Sequence, residues 1–249
     1  MKTIAEIIDD KIIHIYDRSQ FDWYAIRNSG QIFCDPPCDI TEYADRIVIR
    51  ATGGKNSDWL WNYFDLDTDY NAIKLELMQY NALHEPMKAG GGIRILRQPF
   101  IETVICFIIS ANNNIKRFTK TIEQIDFENL EKYTEEDFKK MGCGYRAPYL
   151  VKAIKQLKEM NVDKLSKLDN AALKKQLLTL TGVGPKVCAC IMLFAGGLHR
   201  LDVAPVDTWI GKSIEMLGEN DKAAIFNHKY AGVAQQYIFY YLQHLRKKL

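Results

Sequence analysis

The stretch TGVGPK, residues 181–186, places two glycines, a proline and a lysine between two segments with helical patterns. Glycine adopts positive φ angles easily and proline is tolerated at the first helical position, so the stretch predicts a tight turn between two helices. The N–H groups of such a turn and the positive end of the second helix form a site suited to a phosphate. A simple turn between helices has the same glycine pattern, so the pattern alone leaves both interpretations open.

Lys186 lies in the first turn of the second predicted helix, where the helix dipole disfavours an ammonium group. A neutral lysine amine is a nucleophile that can form a Schiff base with a carbonyl or with C1′ of a sugar. A solvated or phosphate-binding lysine is the alternative. Cys190 follows four residues later on the same helix face, so an amine and a thiol could meet one ligand. The alternative for Cys190 is a small core residue.

Asp207 follows Pro205 and Val206 in a predicted turn before another helix. An aspartate at such a position commonly caps the helix. Near an amine and a phosphate-binding turn its carboxylate has a second use, because it can stabilise a positively charged sugar ring or a developing oxocarbenium ion. The two roles are compatible with each other.

The first part of the chain differs in pattern from the rest. KIIHIYD, WYAIRNSGQIFC and DRIVIRAT are short β-like runs separated by turn residues, and residues 57–79 then have a helical pattern. KAGGGIRIL, residues 88–96, has the composition of a linker. After Pro99 the pattern is almost entirely helical, and the apolar run at 100–111 predicts a buried core helix because it is too short to span a membrane.

We therefore predict an α+β fold that is mostly α. A small N-terminal antiparallel β-sheet domain is expected over residues 1–92. Two helical domains are expected to follow, at 93–147 and 148–249, and the second of them would contain the helix–hairpin–helix motif with the candidate lysine and aspartate.

The composition excludes few classes of protein. Of the 249 residues, 47% are hydrophobic and 26% charged, and the net charge of +2 neither requires nor excludes a nucleic-acid partner. Acidic residues interrupt the apolar N-terminal run, which argues against a signal peptide, and no run has the roughly 18 apolar residues of a membrane span. The six scattered cysteines favour reduced thiols. We expect a monomeric, cytoplasmic protein with no membrane partner, associated with the nucleoid if the source is prokaryotic.

Five short motifs resemble those of one enzyme family and occur in the family's order. They are SGQIF at 29–33, ANNNIKR at 111–117, GCGYRAPYL at 142–150, the glycine hairpin with the VAPVD that ends at Asp207, and YAGVAQQYIF at 230–239. On these motifs the chain resembles the helix–hairpin–helix, Gly/Pro-Asp DNA glycosylases and, among them, the 8-oxoguanine DNA glycosylase/AP lyases. Each motif alone is modest evidence, whereas the ordered set is strong.

The resemblance implies a bifunctional base-excision repair enzyme that flips 8-oxoguanine out of double-stranded DNA. Lys186 would attack C1′ of the damaged nucleotide and displace the base. Asp207 would stabilise the charge that builds on the sugar. The resulting Schiff base would allow β-elimination, so the enzyme would be both a DNA glycosylase and a strand-nicking lyase.

The resemblance also implies four contacts to the flipped base. The main-chain carbonyl of Gly30 would accept the N7–H that 8-oxoguanine has and guanine lacks, which is a contact that discriminates between the two. Gln235 would bind the Watson–Crick edge. Phe239 and Cys190 would cover the two faces of the ring. Gln235 and Phe239 lie four residues apart on one predicted helix, so both can reach one pocket, although an ordinary amphipathic helix has the same spacing.

Further residues of the family motifs imply contacts to the DNA. They are Asn112, Arg117, Tyr145, Arg146, Gly182 and Gly184. Asn112 would fill the space that the flipped base leaves, and Tyr145 would wedge beside the orphaned partner. Arg117 and Arg146 would donate to the estranged cytosine, because a guanidinium can meet two acceptors of one base.

The family resemblance predicts no catalytic metal or organic cofactor. A structural monovalent or calcium ion could bind main-chain carbonyls of the hairpin, here those of Leu178, Leu180 and Val183. The run of four cysteines that holds an iron–sulfur cluster in related branches is missing from the C-terminal part, so no such cluster is expected. Trp209 stands where many relatives have histidine, which puts one phosphate contact in doubt.

Three other functions compete with this one. A glycosylase for another damaged purine, such as an alkylated one, usually lacks the lysine. A non-catalytic helix–hairpin–helix DNA-binding protein needs the hairpin glycines but neither Lys186 nor Asp207. A Schiff-base enzyme that acts on small carbonyl compounds would have no use for Asn112, Tyr145 and Arg146 in this order.

Overall fold

The computed structural model describes residues 4–111, 113, 115–206 and 219–246. The chain forms two compact units. The first unit comprises Met1–Arg97 together with Leu201–Leu249, and the second comprises Gln98–Arg200. The predicted segments 1–92, 93–147 and 148–249 follow a different division, since the last of them contributes to both units.

Strands and helices are named here in chain order. The strands are β1 (Ala5–Ile7), β2 (Ile12–Ile15), β3 (Cys38–Glu42) and β4 (Ile47–Ala51). The α-helices are α1 (Trp23–Arg27), α2 (Ser57–Tyr63), α3 (Tyr70–Leu77), α4 (His84–Ala89), α5 (Phe100–Ser110), α6 (Ile115–Ile122), α7 (Glu135–Lys140), α8 (Ala147–Glu159), α9 (Val162–Ser166), α10 (Asn170–Leu177), α11 (Pro185–Phe194), α12 (Glu219–Phe226) and α13 (Ala231–Arg246). Short 3-10 helices occur at Asn81–Leu83, Phe127–Lys132 and Gly144–Arg146.

The four strands form an antiparallel sheet in the order β1-β2-β4-β3. Side chains alternate between the two faces of a strand, and Ile13, Ile15, Ile47 and Ile49 all point to the buried face. That face packs in one core with aromatic residues such as Phe64. The small sheet and the mainly helical remainder confirm the predicted α+β, mostly α fold class.

Residues 23–27 form helix α1, so the prediction of a β-like run at WYAIRNSGQIFC was wrong. The helix begins because the side chain of Asp22 caps it and accepts a hydrogen bond from the Ala25 N–H at 2.9 Å. β-Branched and aromatic residues favour strands on average, but a local cap outweighs this preference over five residues.

The predicted linker at 88–96 was also wrong, because these residues form a packed turn of the first unit. A Cβ atom on Gly92 would lie 2.4 Å from the backbone nitrogen of Asp22, so the glycine allows two chain segments to touch. Ile93 and Ile95 are fully buried. Arg94 is fully buried as well, and its guanidinium donates to the main-chain carbonyls of Gln20, Phe64, Asp65 and Thr68.

The second unit is helical, and its central helix is α5. Eight of the eleven residues of α5 are buried, which confirms the core helix predicted at 100–111. Helices α8 and α11 both pack against α5, and α10 packs against α11. No helix in the described part of the chain is long and apolar enough to cross a membrane.

Candidate active site

The glycine hairpin joins α10 and α11 as predicted. Asp169 caps α10 by accepting a hydrogen bond from the Ala172 N–H at 2.8 Å, and Pro185 is the first residue of α11. Gly182 has a φ of +87°, and a Cβ atom there would lie 3.2 Å from side-chain atoms of both Ile108 and Tyr149. A glycine is therefore required at this position for its backbone conformation and for the close packing of its neighbours.

Gly184 differs from Gly182, because its backbone does not use the positive φ angle that glycine allows. Gly184 is the N-cap of α11 with φ −91° and ψ 179°, which any residue can adopt. Within the described part of the chain, no atom beyond its own chain neighbours lies within 4 Å of a Cβ atom built on it. The start of α11 therefore faces open space, and a glycine leaves its N–H groups accessible to a ligand such as a phosphate.

Lys186 and Cys190 lie one turn apart on α11 but differ in their surroundings. The Lys186 side chain is exposed, whereas Cys190 is buried with 4% of its surface accessible. Cys188 is fully buried, and burial raises the pKa of its thiol. The helix thus presents an amine to the outside, where a large substrate could reach it, and places both thiols in packed surroundings.

Two of the sequence motifs, 111–117 and 142–150, are brought together in the second unit by reciprocal hydrogen bonds. The Arg117 guanidinium donates to the Gly142 carbonyl at 3.1 Å. The Arg146 guanidinium donates through Nε to the Ala111 carbonyl at 2.9 Å. Arg146 is mostly buried, so its position is set by Ala111, whereas Arg117 is exposed.

Tyr145 is 60% exposed, which is unusual for a large aromatic side chain held by its neighbours. The Arg146 guanidinium lies 4.4 Å from the centre of its ring, and the Tyr149 ring packs edge-on at 6.1 Å. These two contacts hold the Tyr145 ring on one side and leave the rest of it exposed to solvent. A projecting, supported ring is suited to stacking on or wedging between bases.

In the first unit, Gly30, Gln235 and Phe239 form what we call the Gly30 cluster. Gly30 has a φ of +77°, and a Cβ atom there would lie only 2.6 Å from Cε1 of the Phe239 ring. Gln235 is 3% exposed, and within the described part of the chain its Oε1 has no hydrogen-bond partner. A buried acceptor without a partner costs free energy, so this amide is suited to a ligand that donates to it.

Three residues that sequence reasoning did not single out hold the Gly30 cluster in place. Ser29 and Gln31 flank the glycine and are fully buried, and Gln236 donates from Nε2 to the Ser29 carbonyl. The motifs SGQIF and YAGVAQQYIF contain these three polar residues among apolar ones. Polar side chains that a fold buries usually make specific hydrogen bonds, so this pattern was a signal for Ser29, Gln31 and Gln236.

Several predicted residues lie outside the described residues. They are Asn112, Asp207 and Trp209. Their roles therefore stay predictions.

Residues 5–104 match the family model described as 8-oxoguanine DNA glycosylase, N-terminal domain. The whole fold is similar to the solved structure of the Clostridium acetobutylicum 8-oxoguanine glycosylase/lyase bound to double-stranded DNA with cytosine opposite 8-oxoG. The TM-score is 0.84 at 27% sequence identity, over 98% of this chain and 99% of that one.

Two curated relatives have similar sequences. The Arabidopsis thaliana N-glycosylase/DNA lyase OGG1 is 34% identical over 48% of this chain, and this chain spans 39% of that relative. The probable N-glycosylase/DNA lyase of Methanothermobacter thermautotrophicus is 26% identical over 74% of this chain and 72% of its own length. The fold of this chain is thus the fold of 8-oxoguanine glycosylase/lyases of solved structure, and its residues 5–104 match the N-terminal domain of the 8-oxoguanine DNA glycosylases.

Proposed function

We propose that the chain removes 8-oxoguanine from double-stranded DNA and then nicks the strand at the resulting site. The observation that carries this proposal is the Gly30 cluster. It places the Gly30 main chain against the Phe239 ring, and Gln235, one turn before Phe239 on the same helix, has a buried Oε1 with no partner in the described protein. These are the groups needed to accept a hydrogen bond from a flat base, to stack on it and to bind one of its edges.

The Gly30 carbonyl supplies the discrimination against guanine. In 8-oxoguanine N7 bears a hydrogen and donates, whereas in guanine N7 is an acceptor. Guanine would therefore lose the hydrogen bond and would also place two acceptors against each other. On the opposite edge, donors of the base would satisfy Oε1 of Gln235. Cys190 is proposed to cover the ring face that Phe239 does not.

Lys186 is the proposed nucleophile. Its Nζ forms a bond to C1′ as the C1′–N9 bond breaks, and the electron pair leaves with the base, which takes up a proton. The nitrogen loses one proton, the C1′–O4′ bond breaks as C1′=N forms, and O4′ takes up a proton, so a protonated Schiff base results. Removal of a C2′ proton then expels the 3′ phosphate by β-elimination. Asp207 is proposed to stabilise the positive charge that develops on the sugar.

The exposed groups of the second unit are proposed to hold the DNA. Gly182 and Gly184 present the hairpin to a phosphate, Tyr145 wedges into the base stack, and Arg117 donates to the estranged cytosine. Asn112 and Arg146 complete the proposed set. Because Arg146 already donates to the Ala111 carbonyl, its contact to cytosine would add to that bond or replace it.

The hairpin turn also fits a structural cation. Carbonyls at a helix C-terminus lack intrahelical partners, and oxygen ligands suit a monovalent or calcium ion. The Leu180 carbonyl accepts the Val183 N–H at 3.1 Å, which leaves its second lone pair for an ion. The carbonyls of Leu178 and Val183 are the other proposed ligands.

The protein is proposed to act as a monomer, in the compartment that holds the DNA. For a prokaryote this compartment is the cytoplasm.

Borohydride trapping tests the proposal. The protein is mixed with duplexes that contain 8-oxoguanine opposite cytosine, plain guanine opposite cytosine, or an abasic site, and the products are separated on a denaturing gel. We expect a covalent band with 8-oxoguanine and with the abasic site but not with guanine. A band with the abasic site alone would retain the lyase and exclude 8-oxoguanine as the base.

The remaining outcomes identify the competing functions. Base release from an alkylated purine, with none from 8-oxoguanine, would assign the chain to another substrate. DNA binding without any covalent band or base release would identify a non-catalytic helix–hairpin–helix protein. A band with a small aldehyde but with no DNA would indicate a Schiff-base enzyme of another class.

A further inference from the structure

The main-chain segment Ser29–Gln31 is held by buried side chains on both sides of Gly30. On one side, the Ser29 Oγ donates to the Ile26 carbonyl at 2.6 Å, and the Ser29 carbonyl accepts a hydrogen bond from Nε2 of Gln236. Ser29 is fully buried and Gln236 is 2% exposed, so this bond is shielded from water. In such surroundings a hydrogen bond is strong and costly to break.

On the other side, the Gln31 amide joins the glycine segment to the buried chain at 94–96. Its Nε2 donates to the Arg94 carbonyl at 2.8 Å, and its Oε1 accepts the Leu96 N–H at 2.9 Å. The same Nε2 donates to the Ser29 Oγ at 2.9 Å, which links the two flanks of the glycine. The Ser29–Gly30 peptide group and the Gln31 side chain are therefore both attached to buried neighbours.

A glycine needs such support when its carbonyl must point in one direction. Gly30 has no Cβ and a φ of +77°, and glycine can rotate its flanking peptides at less cost than any other residue. A carbonyl that turned away would no longer distinguish an N7–H from a bare N7. The direction of this acceptor must come from the residues on either side.

Gln236 differs from the other supports because it lies on the helix that carries the rest of the cluster. It follows Gln235 directly and precedes Phe239 by three residues on α13. Helix α13 packs against α4, and a Cβ atom on Gly90, which follows α4, would lie 3.3 Å from the Tyr237 ring and 3.2 Å from the Tyr240 ring. Helix α13 thus carries the Phe239 ring, the Gln235 amide proposed to bind the base, and the Gln236 amide that holds the segment around Gly30.

We propose that Gln236 is a positioning residue for base selection, which fixes the Gly30 acceptor relative to Gln235 and Phe239 through its hydrogen bond to the Ser29 carbonyl. This inference rests on the proposed function. It assigns Gln236 no contact with DNA. Its loss should therefore affect reading of the base and spare the sugar chemistry at Lys186.

The test is the variant Gln236→Met, which keeps the length of the side chain and removes the donor. Single-turnover excision of 8-oxoguanine opposite cytosine is measured alongside strand cleavage at an abasic site, which needs no base reading. We expect excision to slow by about tenfold, the factor that corresponds to one buried hydrogen bond, and abasic-site cleavage to change by less than about twofold. Gln243→Met is the matched control, since Gln243 lies on α13 two turns further on, and it should leave both rates unchanged.

A purely structural role for Gln236 would lower both rates together or would lower only the melting temperature, and either result would overturn the inference. Unchanged excision in Gln236→Met would overturn it as well. If that variant does not fold, Gln236→Asn carries the same test, because its amide is one methylene too short to reach Ser29. A wild-type protein that leaves 8-oxoguanine intact would instead reject the proposed function, and this inference with it.

Discussion

The two regions that carry the proposed function are built in opposite ways. In the first unit, Gly30 lies between two fully buried residues and against the Phe239 ring, with no room for a methyl group. In the second unit, Lys186 and Tyr145 are exposed and Gly184 faces open space. The region that would read the base is closely packed around Gly30, which is itself exposed, whereas the region that would meet the sugar and phosphates is open.

This difference follows from what each region must recognise. Guanine and 8-oxoguanine differ by a few atoms, so the acceptor that distinguishes them must be fixed within a fraction of an ångström. A DNA backbone is a long polymer with repeated charges, and groups that contact it must be accessible over a wide surface. Variants in the two regions should therefore fail in different ways, and the predictions below test this from the largest effect to the smallest.

Lys186→Gln should have the largest effect. Glutamine keeps much of the side chain but has no nucleophilic amine, so excision of 8-oxoguanine should fall by roughly a thousandfold or more. Because Lys186 is exposed and is one of several groups proposed to meet the DNA, the affinity for duplex DNA should stay within about threefold of wild type. Excision is measured in single turnover and affinity by fluorescence anisotropy.

Lys175→Gln is the control for this variant, because Lys175 is an exposed lysine on the preceding helix. It should retain the borohydride-trapped adduct at full yield. Base release by Lys186→Gln at more than a tenth of the wild-type rate would show that another group or a water molecule can attack C1′.

Gly30→Ala should come second, with excision slower by about a hundredfold, since a displacement of about 1 Å at a binding group can have this effect. The new methyl group would lie 2.6 Å from the Phe239 ring, and the positive φ would add backbone strain. Cleavage at an abasic site should be nearly unchanged. Gly54→Ala is the control, because Gly54 has a φ of +75° but, among the described residues beyond its chain neighbours, no atom within 4 Å of a Cβ. Equal losses of excision in both variants would mean that strain, and not the lost space, causes the effect.

The sequence predicted the hairpin well because its signals are local. The proline at the start of α11 and the glycine at 182 each act within a few residues, and both behave as expected. The family motifs supplied the rest of the candidate site. They indicated which residues matter but not how they are held.

The failures involve contacts between segments far apart in the chain. The GGG of residues 90–92 has a linker's composition, and only the position of Asp22 against Gly92 shows that it is a packed turn. A fully buried arginine such as Arg94 has no local signature, because four main-chain carbonyls from two other segments satisfy it. The bond from Gln236 to Ser29 joins residues 207 positions apart, and no sequence pattern reveals such a pair.

Gln235→Leu, in the Gly30 cluster, should slow excision and at the same time stabilise the fold. Excision should slow by about tenfold with the loss of one hydrogen bond to the base. The free energy of unfolding should rise by up to about 1 kcal/mol, because leucine removes a buried acceptor that has no partner in the described protein. Gln236→Met, at the neighbouring position, should not be stabilised, since its donor is used. A lower melting temperature for Gln235→Leu would indicate that its amide serves the fold.

The two hairpin glycines should give the smallest and most selective effects. Gly182→Ala should lower the free energy of unfolding by about 1–2 kcal/mol, because of its φ of +87° and the 3.2 Å approach of Ile108 and Tyr149.

Gly184→Ala should change stability by less than about 0.5 kcal/mol, because its backbone is unstrained and its surroundings are open. Its methyl group would nevertheless occupy the space proposed for a phosphate, so affinity for undamaged duplex DNA should fall a few-fold. Denaturant titrations and anisotropy measure the two quantities, and wild-type affinity in Gly184→Ala would show that the hairpin is only a turn between helices.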